Sequence, residues 1–159
     1  MSDRLGTYLN DHLAGAAAAL DLVAKAAAKN RDRAEGAFFD ELRAAIDEDR
    51  ATLEDVMGRV GVERAGVKQA AGRVAERISR LRLHERVTGD PDLSRLMELE
   101  AIAVGVTGKL ALWQSLQTVA QAYPPLTDVN FQALIGRARQ QLAGIEERHR
   151  AAAQEALAG

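Results

Sequence analysis

Five side chains of the kinds that bind metal ions or transfer protons fall on or beside the apolar stripes of the chain. They are His12, Asp49, Glu100, Glu146 and His149. Glu146 precedes His149 by three residues, so a helix presents both on one face. Imidazole and carboxylate groups together suit Zn, Fe or Mn. Because a buried carboxylate or imidazole is costly unless it is paired or bound to metal, we treat all five as candidate metal ligands. The alternative is that they are paired core groups that fix helix register.

Counting residues from the two predicted hairpin turns sorts four of these groups into pairs. His12 lies about 19 residues before the first turn, and Asp49 lies about 18 residues after it. Glu100 lies about 25 residues before the second turn, and His149 about 24 after it. Each hairpin is therefore predicted to set one imidazole level with one carboxylate. If the connection between the hairpins spans the bundle, the pairs lie roughly 15 Å apart. If it does not, all four groups fall near one level.

We expect helices to position these groups. The chain holds 31 alanines and only 4% aromatic residues, and alanine is the strongest helix former. Apolar residues at steps of three and four predict four long helices. These run from Ser2 or Asp3 to about Asn30, from about Arg33 to Val60, from Pro91 to about Ala122, and from Thr127 or Asp128 to about Leu157. Gly61 ends the second, Asp90 caps the third, and Tyr123-Pro124-Pro125 stops it.

These lengths, about 25–30 residues or roughly 40 Å each, predict an all-α four-helix bundle made of two antiparallel hairpins. We expect the bundle to be a single domain over residues 1–159. A short fifth helix from Glu63 to about Leu83 is predicted in the connection between helices two and three.

The third helix differs from the others because apolar or small residues cover most of its circumference. Ala101, Gly105 and Gly108 form a small-residue face. Glycine inside a helix costs about 1 kcal/mol relative to alanine, and close approach of another helix would offset that cost. The short basic helix is one candidate for the approaching helix, and a second copy of the chain is the other.

Composition and charge exclude several classes of protein. The chain has no cysteine, so it forms neither a disulfide scaffold nor a thiolate metal site. Its net charge of −2 creates no global attraction to nucleic acid or an anionic membrane. Residues 63–86 carry a net charge of +4, with Arg73, Arg77 and Arg80 on one flank. No aromatic residues interleave there to stack on bases, so a nucleic-acid partner is not expected. We see no membrane span and expect a cytoplasmic protein.

Glu100 on the third helix, with Glu146 and His149 spaced as Glu-x-x-His on the fourth, resembles the ligand pattern of ferritin-like proteins. That resemblance implies two hairpins, a long crossover and a di-iron or di-manganese site. The chain departs from the pattern in its first two helices, where no second Glu-x-x-His motif occurs. The stretches 8–12, 67–71 and 98–100 also resemble a family of small uncharacterised bacterial helical proteins, which implies no activity.

Two functions follow as expectations. The first is a structural or interaction module that acts through its helical surface, most simply as a homo-oligomer. The second is a ferritin-like metal-binding protein whose site uses Glu100, Glu146 and His149, with His12 and Asp49 contributing if the levels coincide. Whether the protein is an enzyme stays open, since no catalytic nucleophile or phosphate-binding loop is recognisable.

Overall fold

The chain folds into four long helices in the computed structural model, which describes residues 3–65 and 89–158. The helices are α1 (Asp3–Lys29), α2 (Glu35–Arg59), α3 (Pro91–Val119) and α4 (Phe131–Ala158). Two single 3₁₀ turns, Ala120–Ala122 and Pro124–Leu126, join α3 to α4. The described ranges contain no strand, which confirms the prediction of an all-α fold of two helical hairpins. The predicted short fifth helix falls almost wholly on residues 66–88, outside the described ranges, and residues 62–65 are not helical.

Local signals end the helices of the first hairpin. The buried side chain of Asn30 donates a hydrogen bond to the carbonyl oxygen of Ala26 at the end of α1. Gly36, in the first turn of α2, packs so closely on this corner that a Cβ there would lie 2.6 Å from the carbonyl oxygen of Asn30. Gly61 has a φ of 67°, the left-handed conformation predicted for the residue that ends α2.

Capping residues begin α3 and α4. The cap of α3 was predicted correctly, and that of α4 was not. The carboxylate of Asp90 accepts hydrogen bonds from the backbone N–H groups of Asp92 and Leu93, which confirms the predicted cap of α3. For α4 the prediction of Thr127 or Asp128 was wrong. Asn130 accepts the bond from the N–H of Ala133, because the hydroxyl of Thr127 is engaged in donating to Pro124 in the preceding 3₁₀ turn.

The connection between the hairpins begins and ends at opposite ends of the bundle. Lys29, at the end of α1, forms an ion pair with Glu98 near the start of α3. A Cβ at Gly105 would lie 3.6 Å from that of Ala19, so α3 runs antiparallel to α1. The chain therefore leaves α2 at one end of the molecule and enters α3 at the other. Residue counting allowed two arrangements. The observed one is that in which the level of His12 and Asp49 lies apart from the level of Glu100 and His149.

Among residues 3–65 and 89–158, the apolar core forms two clusters, one toward each end of the bundle. The first, which we call the Trp113 cluster, contains Leu9, Leu53, Trp113 and Phe131 among its buried members. The second, the Phe39 cluster, contains residues such as Val23, Phe39, Leu99 and Ile145. Beside the Phe39 cluster, the guanidinium of Arg148 lies 3.6 Å from the centre of the Phe38 ring. This cation–π contact links α2 to α4. Between the two clusters the stripes of α2, α3 and α4 turn polar.

Candidate functional site

The centre of the bundle is occupied by a polar layer built around Asp49, whose side chain is 2% exposed. The ammonium group of Lys109 on α3 donates to one carboxylate oxygen of Asp49 at 2.5 Å. The guanidinium of Arg137 on α4 donates to the other oxygen. The amide of Gln141, one turn after Arg137, donates to Asp49 at 3.3 Å and accepts from Lys109. These four residues, Asp49, Lys109, Arg137 and Gln141, form the central polar layer.

The charges of the central polar layer largely compensate one another. Burial lowers the pKa of Lys109, the nearby Arg137 lowers it further, and the charge and hydrogen bond of Asp49 oppose that effect. Burial also acts to lower the pKa of Arg137, but attraction to Asp49 and Glu48 outweighs it, so this pKa is raised. The contact with Glu48 is an ion pair of 3.0 Å at the exposed side of α2. The arrangement stabilises a buried carboxylate, because removing it would leave two cations facing each other.

His12 does not pair with Asp49 as the sequence predicted. Its half-buried ring makes an edge-on contact with Tyr8, with ring centroids 4.6 Å apart. Burial lowers the pKa of His12, and the charge of Asp11 partly opposes this. Asp49 instead faces α3 and α4, where two cations stabilise a buried carboxylate better than a neutral imidazole on α1 would. The error came from pairing Asp49 within its own hairpin, whereas its partners lie across the bundle.

Glu100 and His149 do meet, but at the surface of the second hairpin. Oε1 of Glu100 lies 3.1 Å from Nε2 of His149, which confirms that residue counting set them at one level. Their side chains are 56% and 38% exposed, so the expectation that they point into the interior was wrong. Glu146, one turn before His149, is exposed as well. Both groups lie at the outer edge of the α3–α4 contact, where solvent reaches them.

The five predicted ligands therefore occupy three separate places. Asp49 lies in the central polar layer, His12 lies beside Tyr8 on α1, and the remaining three lie at the surface of α3 and α4. Among residues 3–65 and 89–158, no three His, Asp or Glu side chains come together in a group that could hold a metal ion. The residues that could ligate an ion here are Glu100 and His149, with Glu146 on the same helical face.

The partners of Asp49 were missed although the sequence carries signals for them. Lys109 is the one basic residue between positions 96 and 119, in the middle of the most apolar helix. Gln141 interrupts the stripe of α4 three residues after Ala138 and four before Ile145. A lysine and a glutamine at core positions of two helices, facing an aspartate on a third, would have predicted the layer.

The outward side of α3 is free of charged groups over most of its length. Its exposed residues after Glu100 include Val104, Thr107, Ala111, Gln114, Ser115 and Thr118, which we call the uncharged face of α3. Val104, in the middle of the helix, is 69% exposed. By contrast, the exposed residues of α2 include Asp40, Glu41, Arg43, Asp47 and Glu48. A chain that is 28% charged thus presents one helix face of roughly 20 Å without a charge.

Compared with protein-family models, with curated proteins and with solved structures, the chain matches none of them. None of the described helices combines the length and the apolarity that crossing a membrane requires.

Proposed function

We propose that this protein is a helical interaction module that self-associates through the uncharged face of α3. The carrying observation is the run of exposed, uncharged residues on α3 that begins at Val104 and extends to Thr118. Charged residues are depleted at the centre of protein–protein interfaces, since each buried charge must be desolvated and paired. An uncharged face on which the apolar side chain of Val104 is 69% exposed has the composition of such a centre.

The interior supports the same proposal. The charged groups of the central polar layer are turned toward one another, and Lys109 and Asp49 are nearly inaccessible to solvent. A carboxylate that is 2% exposed and enclosed by two cations offers no surface to a substrate, whereas it aligns three helices well. We therefore place the activity of the protein on its surface. We also propose a cytoplasmic location, in keeping with a chain that has no cysteine to form disulfides.

The test is the mass of the purified protein in solution, measured by light scattering and analytical ultracentrifugation across the micromolar range. We expect a mass above the 17.1 kDa of one chain. The variant Val104→Glu places a charge on the face at its most exposed apolar residue, and we expect it to weaken association at least about tenfold. Glutamate is a good helix former, so the helix itself is preserved.

Leu157→Glu is the matched control, because Leu157 is 71% exposed near the end of α4, away from the uncharged face. We expect its mass to equal that of the unchanged protein, with circular dichroism confirming that both variants are folded. A single-chain mass of the unchanged protein throughout this range would contradict the proposal. An equal loss of association in both variants would show that the interface lies on another surface.

A second candidate function is metal binding at the surface of the second hairpin. The observation in its favour is the 3.1 Å approach of Glu100 to His149, with Glu146 one turn away on the same helix. This is the chemistry that the ferritin-like resemblance implies, at an edge of the bundle instead of its centre. A carboxylate and an imidazole suit Zn, Mn or Fe, with water completing the coordination.

Elemental analysis of protein purified without chelator, followed by titration with Zn²⁺ and Mn²⁺, tests this candidate. We expect about one ion per chain, lost in Glu100→Ala and in His149→Ala. Glu147→Ala is the control, since Glu147 is exposed beside Glu146 but lies on a different face of α4. Metal-free protein that also binds neither ion in titration would exclude the site.

A further inference from the structure

The uncharged face of α3 begins beside a charge. Glu100 lies one turn before Val104 on the same side of the helix, and its side chain is 56% exposed. Glu100 and Thr118 are 18 residues apart, which is about five full turns, so both lie on one line along the helix. Past Thr118, the exposed positions 119, 121 and 122 are uncharged. One end of the face therefore borders a carboxylate, and the other end does not.

The residues of this face are spaced evenly about Ala111. Val104 lies seven residues before Ala111, and Thr118 lies seven residues after it. Thr107 and Ser115 lie four residues before and after it. All five residues are exposed, and the one in the middle has the smallest side chain. A second helix can therefore approach α3 most closely at Ala111, with a hydroxyl group on either side of the closest point.

Two copies related by a two-fold axis can pack this face on itself in two directions. In a parallel arrangement each residue meets its own counterpart, so the two Glu100 carboxylates come together at the edge of the contact. Bringing like charges together while water is removed is unfavourable. In an antiparallel arrangement about Ala111, each Glu100 lies opposite the uncharged positions near 122 of the second copy. The position of Glu100 thus favours the antiparallel direction.

The antiparallel arrangement also matches the remaining side chains. Val104 of one copy meets Thr118 of the other, whose methyl group offers an apolar contact. Thr107 of one copy meets Ser115 of the other. The hydroxyl of Thr107 donates to the carbonyl oxygen of Ala103 at 2.8 Å, so its oxygen can accept a hydrogen bond from Ser115. The face is therefore complementary to itself in this direction.

We propose that two copies of the chain pack the uncharged face of α3 against itself in the antiparallel direction, with Ala111 of each copy at the two-fold axis. This inference rests on the proposed self-association and adds the direction and the register of the contact. The resulting dimer is closed, since a two-fold contact occupies the same face on both copies.

Disulfide formation between cysteine variants tests the arrangement, because the chain has no cysteine of its own. A disulfide requires Cα atoms within about 7 Å of each other. Ala111→Cys is expected to link two copies rapidly under mild oxidation. Val104→Cys alone is expected to link at least about tenfold more slowly, because its two thiols lie about 21 Å apart along the helices. A mixture of Val104→Cys and Thr118→Cys is expected to link rapidly, as a heterodimer identified by mass spectrometry.

Leu157→Cys provides the rate of random collision, since Leu157 is 71% exposed and lies outside the face. If Val104→Cys links to itself as fast as Ala111→Cys, the antiparallel arrangement is overturned and self-association through α3 still stands. Rates no higher than that of Leu157→Cys, in protein with a mass above one chain, would overturn the arrangement as well. The same low rates in protein with the mass of one chain would overturn the proposed self-association and this inference with it.

A pair of charge substitutions gives a second measurement that needs no thiol. Val104→Lys and Thr118→Glu each place a charge in the contact, and each is expected to weaken association at least about tenfold. In the antiparallel arrangement, the double variant sets each lysine opposite a glutamate of the other copy. We therefore expect it to associate at least about tenfold more tightly than either single variant. A parallel arrangement sets like charges together, so a double variant that associates no better than the single variants would overturn the proposal.

Discussion

Asp49 shows how a single charged residue is accommodated in the middle of an apolar bundle. Its carboxylate receives hydrogen bonds from Lys109, Arg137 and Gln141, which come from the two helices of the other hairpin. Each cation offsets part of the cost of removing the carboxylate from water. The group is therefore a link between the hairpins, and its removal leaves Lys109 without its counter-charge and Arg137 with Glu48 alone.

Asp49→Asn is expected to lower the free energy of unfolding by about 3–5 kcal/mol, because it breaks a buried ion pair from one side. Urea titration followed by circular dichroism measures this change. Asp40→Asn on the same helix is the control, since Asp40 is exposed and its change should stay within about 0.5 kcal/mol. A similar small effect in both variants would mean that the central polar layer does not hold the hairpins together.

His12 should make the stability of the fold depend on pH. Burial lowers its pKa below the ordinary value of 6.5, so the unfolded chain takes up a proton before the folded chain does. The contribution of His12 to stability is thus undiminished above pH 6.5. As pH falls below 6.5, this contribution decreases until the pH reaches the lowered pKa that His12 has in the folded state. We expect the fall in unfolding free energy between pH 7.5 and pH 5 to be smaller in His12→Gln. Urea titrations of both proteins at the two pH values measure this difference. An identical fall in the two proteins would show that His12 does not make stability depend on pH.

At the scale of the elements, two glycines of α2 lie in different surroundings. Gly36 lies against the backbone of Asn30 and Arg31, so the start of α2 can reach the end of α1 only without a side chain there. Gly58, near the end of α2, has no neighbouring heavy atom within 4 Å of a Cβ placed on it. The two residues lie on one helix yet differ in what a methyl group would meet.

Gly36→Ala and Gly58→Ala should therefore change stability in opposite directions. The first forces backbone atoms apart at the corner of the first hairpin and should cost about 1–3 kcal/mol. The second replaces a flexible residue in an exposed part of the helix and should stabilise by up to about 1 kcal/mol. Thermal and urea unfolding of both variants provides the comparison. Equal effects would indicate that the corner relaxes freely around the added methyl group.

For the whole molecule, the central polar layer divides the core into the Trp113 cluster and the Phe39 cluster. Apolar contacts alone allow helices to slide by a turn, since any ridge of similar side chains can fill the same groove. A layer of matched hydrogen bonds is satisfied in one alignment only. We therefore expect the layer to contribute more to the uniqueness of the fold than to its stability.

The combined variant Asp49→Leu, Lys109→Met, Gln141→Leu tests this division of roles. It removes both members of the buried pair together, and Arg137 keeps Glu48 as its partner. We expect stability to be unchanged or raised, in contrast to the loss in Asp49→Asn. The amide NMR spectrum should broaden or double as alternative alignments become populated. A sharp, single set of resonances in the variant would show that apolar packing alone specifies the alignment.

Much of the fold could be predicted from the sequence because its signals are local. The Asp90 cap, the left-handed Gly61 and the spacing of apolar residues all act within a few positions of the chain. Hairpin geometry extends this reach, since two antiparallel helices joined by a short turn pair their residues by simple counting. That is why the meeting of Glu100 and His149 was predicted correctly.

The chain by itself thus determined four helices, most of their ends and the pairing within the second hairpin. Only the tertiary structure decided that α2 ends and α3 begins at opposite ends of the bundle, that Asp49 binds Lys109 and Arg137, and that Glu100 and His149 face solvent. The physical reason is that these outcomes depend on how one hairpin lies against the other. That placement is set by the summed packing of many distant side chains, which no local pattern encodes.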